Sequence, residues 1–418
     1  MSDRVRPSAR RWLVVLALFV VTFGISTPLA AYGVFLPILA EQFAWSRGAI
    51  ATALSINLLV GGVAGFAIGA LADRHGPRVM LMFTVALAGA AFALVSTVDA
   101  LWQLYLFVGL LGGVGMSSFY LLSAATVTHW FETRRGLALA LVLVGFSLGY
   151  ISAGPLAATL ITAVGWRAAY ALLGIGSGLL TLLAAVTVRL PRGVEAGLIG
   201  PIDPSQTERR RGPASALEGV TLRAALADPR QWLINVAWFL LGGLALMISV
   251  HVVPFARDQG LSLAAASLAL STYGVGSVTG RLVSGAVSDR LGPHTTLRIG
   301  FGLQIVALAA LLWLPSRELL MLGLGLFGAG FAAADTMITR IVPDVFGLRA
   351  IGGIMGILNL GWRTGAALGP AVAGFVYDVT GSYTVPFGAA PLAVLVSWTL
   401  FALATRSRRP ARVAGEGD

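Results

Sequence analysis

The chain has 418 residues, 57% of them hydrophobic and only 11% charged, with a mean hydropathy of +0.85. A soluble domain carries about a quarter charged residues, so a water-soluble enzyme or binding protein is excluded and a polytopic membrane protein is expected. The net charge of +11 is arginine alone, with no lysine and no cysteine, which excludes a Gly-Lys-Ser/Thr phosphate loop, a lysine Schiff base, disulfides and thiolate metal sites.

The N-terminal "MSDRVRPSARRW" precedes an apolar run without a convincing small-residue cleavage site and reads as the lead-in to a retained first helix. Apolar runs long enough to cross a hydrocarbon core of about 30 Å then predict helices over 12–38, 48–70, 79–97, 101–127, 137–162 and 167–189. A second set follows over 231–255, 263–286, 296–314, 318–342, 351–376 and 385–405. The only long polar interruption is residues 191–230, rich in Pro, Gly and charge, so 1–190 and 231–418 are expected as six-helix bundles, the second with a short basic tail. Within that cytoplasmic linker, the run Arg209–Arg211 reads as a solvated topology anchor.

With the N-terminus in the cytoplasm, only Arg47, Arg167, Arg257 and Arg317 fall on the outer side, and only Arg281 and Arg363 within helices. The positive-inside rule therefore places both termini in the cytoplasm and accounts for the basic charge without nucleic acid. The histidines (His75, His129, His251 and His294) form no helical metal-binding pair, so neither a metal nor a cofactor is implied. His251 and Asp258 close the seventh helix and read as its solvated outer end, with proton entry the alternative.

The two sets also repeat. "GALADRHGPR" (69–78) after the second helix is answered by "GAVSDRLGPH" (285–294) after the eighth, and "GFSLGYISAGP" (145–155) by "GWRTGAALGP" (361–370) at the same register offset. Pro37 and Pro254 form a third near match, and together these mark a duplicated six-helix unit. The glycines of the second pair, with Pro155 and Pro370, allow close helix approach and bending.

Two Gly-x-x-x-Asp-Arg-x-Gly loops, the Gly-Pro element and the six-plus-six arrangement resemble the major facilitator superfamily over essentially the whole chain. The resemblance implies an all-α fold of twelve transmembrane helices, two six-helix bundles around a central cavity, working by alternating access. Asp73 and Asp289 are expected to accept hydrogen bonds from a neighbouring helix N-terminus, where the macrodipole favours an anion. Arg74, Arg78 and Arg290 are expected to bridge to the other half. The resemblance implies that this network holds the outward-facing state and breaks as the cytoplasmic side opens.

The intramembrane charges are the candidates for chemistry. Arg363 lies near mid-membrane in the eleventh helix, Arg281 is shallower in the eighth, and Asp335 is in the tenth. A buried arginine costs at least about 2.5–3.5 kcal/mol on insertion scales, so it should face a cavity and meet an anion. For Arg363 that anion is Asp335 or a bound substrate, or a broken helix supplies a carbonyl instead; for Arg281 an ion pair or snorkelling is the bland alternative. With Asp335 ionised the residual charge is about +1, and with it protonated about +2, suited to a small anion that a guanidinium grips through two parallel hydrogen bonds. Burial raises a carboxyl pKa and adjacent guanidiniums lower it, so Asp335 is a candidate proton carrier, or a clamp on Arg363 in the empty state.

"YGVFLPILAEQFAWSRGAI" (32–50), "HWFETRRGLALA" (129–140), "VGWRAAY" (164–170) and "VYDVTGSYTVPF" (376–387) resemble the monocarboxylate transporter and oxalate:formate antiporter branch. That resemblance implies Arg281 as the substrate-carboxylate ligand, Arg363 at or beside a second cation, and Tyr120 and Phe146 as cavity aromatics. Tyr32 and Tyr273 read as core or interfacial tyrosines. The chain departs from the animal members at Ser277, where they carry an aspartate, and in lacking the lysine they use in the first helix.

The expected function is secondary transport of a small mono- or dicarboxylate across the inner (plasma) membrane, by proton symport or anion exchange, in a protein working as a monomer. Its partners would be the carboxylate, protons or a counter-anion, and the bilayer. A proton-coupled drug or cation exporter of the same fold is the alternative, disfavoured by two arginines to one aspartate. No nucleophile–base pairing, metal spacing or charged filter ring points to an enzyme or channel.

Overall fold

The computed structural model describes residues 9–131, 135–189, 219–313, 317–347 and 349–405. Residues 190–218 of the linker region, with Arg209–Arg211, and the basic tail beyond residue 405 lie outside the described residues, as does the Asp73 side chain.

The first bundle comprises α1 (Ala9–Phe43), α2 (Arg47–His75), α3 (Pro77–Leu94), an interrupted α4 (101–130), α5 (135–164) and α6 (166–187). The second comprises α7 (Pro229–Asp258), α8 (Leu263–Leu291), α9 (Pro293–Trp313), α10 (Arg317–Phe346), α11 (Ile351–Thr380) and α12 (Thr384–Thr405). These helices outrun the predicted ones at several ends, because an apolar run marks only the lipid-embedded part.

Local chemistry sets the turns. Gly76 (φ 84°) and Gly292 (φ 80°) close α2 and α8 in a backbone conformation that a side chain disfavours. Pro77 and Pro293 then open the next helices, where a missing N–H costs nothing. α5 and α6 follow one another directly, and the non-helical backbone of Gly165 (φ 78°, ψ 163°) turns the chain from the first into the second. α4 departs most from its prediction: Tyr105–Leu111 is π-helical, and the helix breaks at 116–118 before resuming at Phe119.

Nine helical stretches among the described residues are long and apolar enough to cross a membrane by composition alone, α5 and α6 counting as one. The two helices outside that set, α8 and α11, carry Arg281 and Arg363. Residues such as Val63, Phe66 and Leu183, and on these two helices Leu282 and Val379, are exposed to form the apolar girdle that lipid requires.

The Gly-Pro frames dock α5 on α1 and α11 on α7. A methyl group on Gly365 would collide with the Phe239 carbonyl, and one on Gly145 with that of Phe19. Between the halves, α2 lies antiparallel to α11: Gly48 meets Gly374, the Ser55 hydroxyl donates to the Ala367 carbonyl, and Gly61 comes up against Arg363. α5 meets α8 through the Ser271 hydroxyl, which donates to the Ile151 carbonyl at 2.6 Å.

Candidate functional site

The frame that docks α11 aims Arg363. Gly361, Gly365 and Gly369 form an i, i+4, i+8 ridge against α7, and two residues along a helix is about 200° of rotation. Arg363 therefore points the opposite way, toward α2 and the space between the halves. Its guanidinium lies against Gly61 and its stem against Gly62, where the absence of side chains makes room.

That space is a cavity of about 230 Å³. Arg281 and Arg363 enter it from the second half, with Tyr273, Ser277, Phe331 and Trp362 on the same side. The first half contributes a mostly apolar wall that includes Met116, Phe119, Phe146 and Tyr150. Phe119 and Phe146 stack in parallel, 5.7 Å between centroids, and Tyr150 continues the shelf 5.2 Å from Phe146.

The charges are unequally matched. Arg281 faces Asp335 of α10 at 3.7 Å, too long for a hydrogen bond, with 39% and 28% of the two side chains exposed. Arg363 has no carboxylate or hydrogen-bond partner among the described residues. With Asp335 ionised, one positive charge is left over, on Arg363.

The predicted residues divide accordingly. Arg281, Arg363 and Phe146 share one cavity. Asp335 pairs with Arg281, so it does not clamp Arg363. Tyr120 is 52% exposed and absent from the cavity wall, and its neighbour Phe119 stands there instead. The cause is local: a π-helical stretch takes more residues per turn, and with the break at 116–118 it rotates the following helix out of a regular α-helix's phase. Tyr273, left out of the sequence-predicted site, lines the cavity, and Tyr32 instead packs within the first half, donating to the Ile50 carbonyl at 2.6 Å.

The inner face, which the arginine distribution assigns to the cytoplasm, carries the duplicated loops. Asp289 meets Arg340 of α10 at 3.2 Å, within its own half, and not a neighbouring helix N-terminus. Arg74 and Arg290 are exposed, Arg78 is half-buried, and among the described residues none of the three bonds to the other half.

The outer face is built quite differently. Arg47, at the start of α2, donates to both carboxylate oxygens of Asp258 at 2.7 and 2.8 Å and stacks 3.9 Å over the Tyr377 ring. Asp378, at the end of α11, accepts from the backbone N–H groups of Arg47 and Gly48, each at 2.8 Å. A residue of one half thus caps a helix of the other, where the helix dipole favours a carboxylate.

Arg47 also donates to the Tyr383 hydroxyl at 3.1 Å. Burial pushes that phenol well above its ordinary range against the opposing pull of Arg47, keeping it a neutral hydroxyl. Nε2 of the fully buried His251 lies 2.7 Å from the Pro370 carbonyl, which can only accept, so Nδ1 is the acceptor for Tyr383 at 2.8 Å. His251 is therefore buried within the second half and not at a solvated helix end, whereas Asp258 stands at the exposed end of α7 and is the acceptor of an inter-half clasp. The clasp was missed because an outer arginine counts only as an exception to the charge rule; the concentration of Arg47, Asp258, Asp378 and Tyr383 at outer helix ends was the available signal.

The family model for the Major Facilitator Superfamily matches residues 14–318 and 252–418. The chain is 29% identical over 392 residues to Monocarboxylate transporter 11 of Mus musculus, covering 90% of this chain and 83% of that one. It is 25% identical over 376 residues to the Oxalate:formate antiporter of Oxalobacter formigenes, covering 84% and 86%. Among solved structures, the nucleoside transporter NupG superposes with a TM-score of 0.74 at 13% identity over 94% of this chain and all of that one.

Proposed function

Because the chain belongs to the major facilitator superfamily, as a transporter of its monocarboxylate and oxalate:formate branch and not an enzyme, we propose that it is a secondary active transporter. Its substrate is a small organic anion, a mono- or dicarboxylate, carried across the inner membrane by alternating access. The observation that carries this reading is the cavity charge: two guanidiniums, one carboxylate, and no partner for Arg363 among the described residues. An unmatched arginine between membrane helices is costly, and a substrate carboxylate is the natural compensating charge, held through two parallel hydrogen bonds.

Arg281 is the second ligand. Its contact with Asp335 is long and partly exposed, so a substrate carboxylate can displace Asp335. The displaced carboxyl then takes up a proton, which couples substrate binding to protonation and supports symport. The clasp between Arg47, Asp258 and Asp378 closes the outer face, so substrate reaches the cavity from the cytoplasmic side. In the alternate state the clasp opens and the Asp-Arg loops gather across the inner face.

Uptake of radiolabelled lactate, oxalate and phenylacetate into proteoliposomes under an imposed pH gradient tests the proposal. The wild type should accumulate at least one of them. Arg363→Lys and Arg281→Lys should each lose about tenfold or more despite the retained charge, because a point ammonium cannot reproduce the fork. Asp335→Asn should abolish accumulation driven by the pH gradient and leave exchange intact. Transport confined to cationic dyes would refute the anion reading.

A further inference from the structure

The two halves present opposite chemistry to the cavity. Both cations come from the second half, on α8 and α11. On the first-half side, Phe119, Phe146 and Tyr150 form a continuous aromatic shelf. The polar groups on that wall are already engaged: Asn57 donates to the Val108 carbonyl at 2.7 Å, and Ser147 donates to the Leu143 carbonyl at 3.4 Å. The Tyr150 hydroxyl faces Ser249 of α7.

From this asymmetry we infer that the transported anion is an aryl monocarboxylate, its carboxylate on Arg363 and its ring on the Phe119–Phe146–Tyr150 shelf. The inference rests on the organic-anion reading and narrows it. Charge sets the first part: in the empty cavity Asp335 stands beside Arg281 and leaves one uncompensated positive charge, which matches one carboxylate, and that same carboxylate, once on Arg363, can take the place of Asp335 on Arg281. A compact dicarboxylate would bring one negative charge more than the cavity leaves uncompensated with Asp335 ionised, and would leave the aromatic wall in contact with water.

Size and surface set the second part. The cavity, about 230 Å³, exceeds the roughly 150 Å³ apolar cavity that admits benzene. An aromatic face prefers an offset or edge-on ring, and such contacts add to the gain from burying apolar area. An aromatic wall also attracts cations, but a cation here would sit beside the unmatched Arg363. Arg363 already reaches across to Gly61 of α2, so a ligand held on it touches both halves at once.

The test is calorimetric titration of the detergent-purified full chain with acetate, oxalate, phenylacetate and phenethylamine. Phenylacetate should bind about tenfold or more tightly than acetate or oxalate. Phe146→Ala should collapse that preference by about tenfold. Phe146→Leu, which keeps most of the volume and removes the ring, should fall between the two, with the unliganded melting temperature reporting that each variant is folded.

Acetate or oxalate binding as tightly as phenylacetate would overturn the aryl inference and leave the anion reading standing. Binding of phenethylamine alone would overturn both. Failure of phenylacetate to bind a cooperatively melting wild type, or an unchanged preference in both Phe146 variants, would overturn the aryl inference.

Discussion

On the inner face the duplicated loop of the second half keeps its bond at home, Asp289 to Arg340, whereas on the outer face Arg47 leaves its own half to meet Asp258, Asp378 and Tyr383. The loops repeat in the sequence and the clasp does not. In the register that aligns the loops, Leu263 stands where Arg47 would repeat, and Gln42 and Thr162 where Asp258 and Asp378 would. A repeat records what two halves have in common. A lock between them can be built from residues that only one half possesses, so a search for repeats finds the hinge frame and passes over the lock.

The contrast can be broken from the outer side first. Asp258→Ala leaves a guanidinium whose side chain is only 14% exposed without its paired acceptor. We expect a loss of about 2 kcal/mol from the outward-closed state, roughly thirtyfold in its population. Distances between spin labels at the outer ends of α1 and α7 should show a longer component, and the cysteine-free chain makes such labelling clean.

Gly48→Ala comes next, because the added methyl would collide with the Phe375 ring and backbone. Overpacking of this kind costs about 1–2 kcal/mol and should shift the same distances the same way, with every charge intact. Asp378→Asn turns one of the two accepting oxygens into an N–H donor that faces a backbone N–H at the start of α2 and removes the charge that complements the helix dipole, for about 1 kcal/mol.

The smallest effect is expected on the inner face. Asp289 and Arg340 are 73% and 50% exposed, so Asp289→Asn should move the outer distances by less than about 0.5 kcal/mol equivalent. An inner-face substitution that shifts the distribution as much as Asp258→Ala would remove the distinction between the two faces.

Much of the fold was legible in the sequence because the bilayer imposes length and apolarity on every crossing segment. Arg281 and Arg363 stood out by the same rule, as charges where lipid tolerates few. The phase of α4 was not legible: nothing in "LWQLYLFVGLLGGVGMSSFY" marks where i→i+5 bonding begins, and a phase change of one residue exchanges Tyr120 for Phe119. The partner of Asp335 was also hidden, since spacing along the chain does not say whether α10 presents it to α8 or to α11. The aromatic shelf went half-seen, because Phe119 and Tyr150 read in sequence as ordinary apolar positions.

The central claim is that Arg363 is the unmatched cation on which the substrate carboxylate settles. Its most direct test is calorimetric titration of lactate, oxalate and phenylacetate, each separately, into wild type, Arg281→Gln and Arg363→Gln. The account predicts saturable binding of at least one anion to the wild type, weakened binding to Arg281→Gln, and none to a folded Arg363→Gln. Wild-type affinity in Arg363→Gln would contradict it.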